Sequence, residues 1–258
     1  MFFTCVLKIK MASTHHVPSY TVEQLLKLKG YCIIPLEDEL NEKLASLLPK
    51  YPKTDATGII DENGFREKIP FGGKHAGRLL TDVSDYMNAF LKQENIMTSH
   101  HYVDVGSFLI LKCNPGCPTQ RLHCDDTMHP GEFVNCPPEH IPYSVILNPG
   151  PEPMWLNTLC CHHMVYPGSG IIFRGDFLHG GMSWDCENAD PHYRLFLKVD
   201  TDLFCGGVKK KRKPFYLLDS HEIKYPGGVV CYEDLKKNPS IQLMSVSKSV
   251  IDLTIDDP

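Results

Sequence analysis

Residues 21–30 read TVEQLLKLKG. Thr21 is suited to cap a helix, Glu23 and Gln24 fall in the first turn, and Gly30 stands where a helix stops, so the segment predicts a helix. The next residues, YCIIP, form a short apolar run closed by Pro35 and predict a strand. Helical spacing resumes over 37–49, where Leu40, Leu44, Leu47 and Leu48 fall on one side. Residues 51–78 are polar and rich in Gly and Lys, and are expected to form a long loop. A further helix is expected near 80–92, where Leu80, Val83, Met87 and Phe90 recur at steps of three and four.

From about residue 102 the texture changes. Short apolar runs such as SFLILK, PYSVIL, GSGIIF and YRLFLKV alternate with Gly, Pro and Asn clusters. Several short strands separated by turn chemistry predict an antiparallel barrel or sandwich. The pattern is that of a mainly β domain with flanking helices, the helices packed as an N-terminal layer. Residues 21–204 are expected to form this single domain. Residues 1–20 are expected to be a disordered extension, with Met11 a candidate second start, and 205–258 a C-terminal extension with a basic cluster and an acidic, apolar tail.

Composition narrows the picture modestly. A net charge of −5 over 258 residues is not that of a dedicated nucleic-acid binder. No run approaches the roughly 20 apolar residues a membrane helix needs. The opening MFFTCVLKIK lacks a leading basic region and is interrupted by Lys8 and Lys10, unlike a secretory signal. The eleven cysteines are therefore expected to be reduced thiols of an intracellular protein.

The chemistry concentrates in QRLHCDD. On an extended chain, residues two apart point the same way, so His123 and Asp125 can face one point while Cys124 faces away. A third ligand should come from a distant strand, and GSGIIFRGDFLHG supplies a strand, a Gly-Asp turn and His179. Two imidazoles and a carboxylate occupy one face of an octahedral ion and leave three positions open, which suits Fe(II). A structural zinc site would close all four positions. In YRLFLKV, Leu195, Leu197 and Val199 share a face, which turns Arg194 into the barrel. A guanidinium buried there needs an anion, and its planar fork suits a carboxylate.

On these segments the chain resembles the iron(II)- and 2-oxoglutarate-dependent oxygenases of the double-stranded β-helix, or jelly-roll, fold. PGCPTQRLHCDD and GSGIIFRGDFLHGG are most similar to the Gln-x-x-His-x-Asp and Asp-x-x-His-Gly stretches of the phytanoyl-CoA dioxygenase-like group. The helix-then-strand start matches as well, so the likeness spans roughly residues 20–202. It implies iron at His123, Asp125 and His179, 2-oxoglutarate with its distal carboxylate on Arg194, and ascorbate in support. The implied reaction is hydroxylation of a prime substrate with release of succinate and carbon dioxide. Tyr143 sits about where relatives set an aromatic residue against the co-substrate. Two departures stand out: Phe196 replaces a small hydroxyl residue, and Gly181 replaces a serine.

Competing readings remain at this level. Cys113, Cys117, Cys124 and Cys136, with Cys160, Cys161, His162 and His163, could be imagined as a zinc site, although no C-x-x-C pair occurs among them. Lys209, Lys210, Lys211, Arg212 and Lys213 read as a nuclear localisation signal, against a solvated turn. Val250, Ile251 and Leu253, flanked by acids, resemble a SUMO-interacting motif that would add as a strand to a partner's sheet. The alternative to an enzyme is thus a catalytically silent, SUMO-binding nuclear adaptor; a cupin-like protein with another co-substrate is a third. The prime substrate is expected to be a small molecule or a protein. Direct nucleic-acid binding is not expected, since Asp200 stands where the demethylase branch carries a second arginine.

Overall fold

The computed structural model describes residues 20–51, 59–60, 65–126, 133, 136–158, 162–184, 190–203, 215–216, 222–225 and 228–231. The first helix, α1 (Val22–Lys29), forms as its sequence predicts. Thr21 accepts from the Gln24 N–H while the Gln24 side chain returns to the Thr21 N–H, and Gly30 ends the helix at φ 82°. Strand β1 (Tyr31–Pro35) follows, then α2 (Asp38–Leu47) and a short 3-10 turn over Leu48–Lys50. Leu40, Leu44 and Leu48 are buried, as their spacing requires.

The region expected to be a loop holds more structure than its composition suggests. Strand β3 (Arg66–Pro70) pairs on one side with β2 (Ile59–Ile60) and on the other with β4 (His101–Cys113). Its sequence, REKIP, has no apolar alternation. What holds it is the long β4 edge and the ion pair from Lys112 to Glu67 (2.6 Å), which are cross-strand neighbours. The third helix, α3 (Gly73–Gln93), starts well before residue 80 and kinks at Gly77, whose φ of 51° suits a residue without a side chain.

The remaining strands are β5 (His123–Cys124), β6 (Tyr143–Asn148), β7 (Met154–Thr158), β8 (His162–Val165), β9 (Ser169–Arg174), β10 (His179–Gly181), β11 (His192–Thr201) and β12 (Phe215–Tyr216). A separate hairpin joins β13 (Glu222–Tyr225) to β14 (Gly228–Cys231). The larger sheet runs β1-β9-β6-β11-β4-β3-β2 and the smaller β12-β5-β10-β7-β8, every pairing antiparallel. This is the mainly β, jelly-roll architecture with flanking helices. The smaller sheet takes in β12, which pairs with β5 through Phe215 and Tyr216.

Two apolar clusters lie on opposite faces of the larger sheet. Between sheet and helices, Val145, Leu147, Leu195, Leu197 and Val199 meet Leu26, Leu44, Val83, Met87 and Leu91. Between the sheets, Ile146, Ile171 and Phe173 meet Met154, Leu156 and Val165. Central strand β6 is accordingly buried at all six positions, as a strand covered on both faces must be. Each fully buried leucine here contributes about 2–3 kcal/mol. The inter-sheet face opens at one end, and the candidate site lies there.

Candidate metal centre

Strands β5 and β10 are direct neighbours in the smaller sheet, with His179 opposite His123. Asp125 follows β5 immediately, and the alternation expected of QRLHCDD holds. The His123 and Asp125 side chains turn toward the cavity, while the Cys124 thiol turns away and donates to the Asp176 carbonyl (3.3 Å). The ligand atoms of His123, Asp125 and His179 all lie within 4.8 Å of one another. Among the described residues no other group of His, Cys, Asp and Glu has this arrangement. The zinc reading accordingly finds no cluster among Cys113, Cys117, Cys124, Cys136, His162 and His163; Cys160 and Cys161 lie outside the described residues.

Each of the three side chains is oriented by a further hydrogen bond. His123 Nδ1 faces the Arg121 carbonyl (3.1 Å) and His179 Nδ1 the Phe177 carbonyl (3.0 Å). A carbonyl can only accept, so both rings donate from Nδ1, which in the neutral imidazole leaves Nε2 as the bare nitrogen facing the centre. The Ser144 hydroxyl donates to Asp125 Oδ2 (2.6 Å). Metal-ligating side chains are characteristically steadied in this way.

Electrostatics favour the ligating forms. Burial, helped by nearby His179, pushes the His123 imidazole down to about 4, so it is neutral at pH 7; Lys68 at the cavity mouth acts in the same direction. Burial works against the Asp125 carboxylate, but His179, Lys198, His123 and the Ser144 hydrogen bond outweigh it and bring Asp125 down to about 2.

The turn before His179 is built from buried charge. Arg174 grips Asp176 through Nε (2.9 Å) and Nη2 (3.3 Å), and Asp176 also accepts from the Phe133 N–H (2.7 Å). The remaining arm of Arg174 reaches the Lys27 carbonyl (3.3 Å), tying the turn to the end of α1. Gly175 is required because a Cβ there would sit 2.6 Å from the Cβ of Asp126. Asp126 in turn pairs with Lys198. Gln120 clips the lead-in of β5 to β10: its N–H donates to the Gly181 carbonyl (2.8 Å) and its Oε1 accepts from the Gly181 N–H (3.0 Å).

A cavity of about 90 Å³ extends from the three side chains to Arg194, room for several water molecules. Arg194 is buried on the inward face of β11, as the alternation of that strand predicts, while Leu195, Leu197 and Val199 enter the helix-side core. Its Nη2 donates to Cys113 Sγ, and its buried Nε has no hydrogen-bond partner among the described residues. Phe196 lines the cavity and narrows it. A side chain at Gly181 would meet Arg66 Nη1 at 2.8 Å, so the space a serine would take is filled by the Arg66 guanidinium.

Tyr143 does not join them. It stands one residue out of step, on the helix-side face of β6 with Val145 and Leu147, its ring 5.7 Å from that of His101. Burial pushes its phenol up, and it does not line the cavity. The inward residues of β6 are instead Ser144 and Ile146. Sequence reasoning missed Ser144, although the parity of YSVILN carries it once Val145 and Leu147 are assigned to the core. It also missed Arg66, for which a segment read as loop carried no signal. The basic cluster Lys209–Lys213 and the residues Val250, Ile251 and Leu253 lie outside the described residues.

No family model matches the chain, and no curated protein matches it. Several solved structures are similar to it. An oxidoreductase of the 2OG-Fe(II) oxygenase family from Burkholderia pseudomallei aligns at 10% identity and TM-score 0.46, over 68% of this chain and 86% of its own. A Pseudomonas putida prolyl-4-hydroxylase aligns at 12% and 0.46, over 70% and 97%. The epimerase SnoN, solved with Fe3+, alpha ketoglutarate and nogalamycin RO, aligns at 9% and 0.46, over 76% and 94%.

Proposed function

We propose that this protein is an iron(II)- and 2-oxoglutarate-dependent oxygenase that hydroxylates a small molecule or a protein, in the manner of the phytanoyl-CoA dioxygenase-like group. The observation that carries the reading is the convergence of His123, Asp125 and His179 at one end of a cavity whose other end holds Arg194. The donor set fits an iron(II) ion with open positions, since two bare imidazole nitrogens and one ionised carboxylate are already oriented. The buried Nε of Arg194, without a hydrogen-bond partner among the described residues, fits a carboxylate.

In this reading His123, Asp125 and His179 hold the metal, and Arg194 receives the C5 carboxylate of 2-oxoglutarate. Iron and 2-oxoglutarate together supply the oxidation by dioxygen, with succinate and carbon dioxide released. Ser144, Arg121 and Phe177 hold the three ligands in register. Phe196, Leu111 and Ile146 give the cavity apolar walls that limit water. Lys209–Lys213 would direct the protein to the nucleus, and Val250, Ile251 and Leu253 would recruit SUMO or a SUMO-modified protein. A silent adaptor is not favoured, because it has no use for three oriented ligands.

The test is succinate formation from 2-oxoglutarate by the full chain with Fe(II), ascorbate and air. Turnover lost in His123→Ala, and restored only at high co-substrate in Arg194→Ala, is expected. Absence of both Fe(II) uptake and turnover would overturn the reading.

A further inference from the structure

Four thiols are buried among the described residues: Cys32, Cys113, Cys117 and Cys124. Three donate to backbone carbonyls, Cys32 to Ile33 (3.3 Å), Cys117 to Pro118 (3.6 Å) and Cys124 to Asp176 (3.3 Å). Cys113 does the opposite. Its sulfur accepts from Arg66 Nη1 (3.1 Å) and from Arg194 Nη2, and of the four it alone lines the cavity.

Two guanidiniums on one sulfur favour its anionic form, and the thiolate is the form that reacts with peroxide. Arg194, 5% exposed, has a donor at Nε without a partner among the described residues, a second and separate sign that this end of the cavity is built for an anion. Cys32 marks the contrast: burial pushes its thiol up to about 11, with no cation bonded to the sulfur.

We propose that Cys113 is a reversible oxidation site whose oxidised form competes with an incoming carboxylate for Arg194. Hydrogen peroxide is the oxidant. The Cys113 thiolate attacks one peroxide oxygen, an S–O bond forms, the O–O bond breaks, and the departing hydroxide leaves as water after taking up a proton. Sulfur loses two electrons and peroxide gains them. The sulfenate oxygen stands between Arg66 and Arg194 and accepts from both, so the guanidinium is no longer open to a co-substrate. Thiol reductant reverses the change. The oxidation itself needs no metal; its effect on 2-oxoglutarate rests on the function proposed above.

The test uses the full chain, freed of redox-active metal by chelation, exposed to hydrogen peroxide and trapped with dimedone, with label read peptide by peptide. Cys113 is expected to label about tenfold faster than Cys32, Cys117 or Cys124, and Arg194→Gln to slow it severalfold. Equal labelling of the four, or no change in Arg194→Gln, would overturn the assignment. With redox-inert Zn(II) present, 2-oxoglutarate is expected to protect Cys113, and peroxide to weaken 2-oxoglutarate binding in wild type but not in Cys113→Ser relative to its own untreated affinity. Labelling without protection, or equal weakening in Cys113→Ser, would overturn the competition. If 2-oxoglutarate fails to bind untreated protein, the proposed function fails, while the labelling still decides whether Cys113 is an oxidation site.

Discussion

Along β11, Leu195, Leu197 and Val199 point to the helices, and Arg194, Phe196 and Lys198, one step out of phase, point between the sheets. Neighbours alike in burial, Leu195 at 0% exposure and Arg194 at 5%, belong to different chemistry. On the helix side each side chain is satisfied by apolar contact, and burial alone stabilises it. On the inward side burial imposes a demand: Lys198 answers it with Asp126, Ser144 with Asp125, and Arg194 only in part, with a thiol. A face that stabilises the fold is saturated by its neighbours, whereas a face that binds keeps a polar group in reserve.

The sharpest test of that contrast removes a proposed ligand. Asp125→Ala should lower Mn(II) or Fe(II) affinity by more than ~100-fold, since even the supporting partners of metal ligands are worth ~10–100-fold. Its stability without metal should fall by no more than about 2 kcal/mol at pH 7, the amount that a carboxylate held down to about 2 by its neighbours contributes; isothermal titration and unfolding read the two effects separately. Leu197→Ala should do the reverse. It should cost about 3–4 kcal/mol in unfolding free energy, while the folded fraction keeps its metal affinity. A large loss of affinity there would show that the two faces are not separable.

Next comes acid. His192, buried beside the cavity wall, has its imidazole pushed down to about 3 by burial and by nearby Arg194, and it bonds to Asn148 Oδ1 (3.0 Å). The unfolded chain takes up this proton near pH 6.5 and the folded chain does not until about pH 3. Stability should therefore fall as pH drops through that window, by about 3 kcal/mol at pH 4 for this group. His192→Gln should flatten the slope in urea titrations of metal-free protein; an unchanged slope would assign the loss elsewhere, His101 being another imidazole lowered by burial. Smallest is Ser144→Ala, expected to weaken metal binding ~10-fold with about 1 kcal/mol of stability lost. No change in affinity would remove Ser144 from the centre.

Much of this was legible in one dimension. Thr21, Gln24 and Gly30 specify α1 through contacts within a few residues of each other. His123 and Asp125 share a direction because strand geometry alternates, and Arg194 is turned inward by the leucines beside it. Tyr143 was misassigned for the same parity reason: resemblance located the strand, but one residue of register decides the face. Strand β3 was hidden because its hydrogen bonds lead to β4, forty residues on, and charged REKIP carries no periodic signal.

The sequence by itself thus determined which residue types could serve and which way each points along its own strand, since those depend on local backbone geometry. Only the tertiary structure decided who meets whom. That His179 lies opposite His123, that Ser144 reaches Asp125, and that Arg66 and Arg194 converge on Cys113 follow from pairings between segments distant in the chain. Nothing near those residues encodes them, because the energy that selects the pairing comes from the whole packed sheet rather than from any one segment.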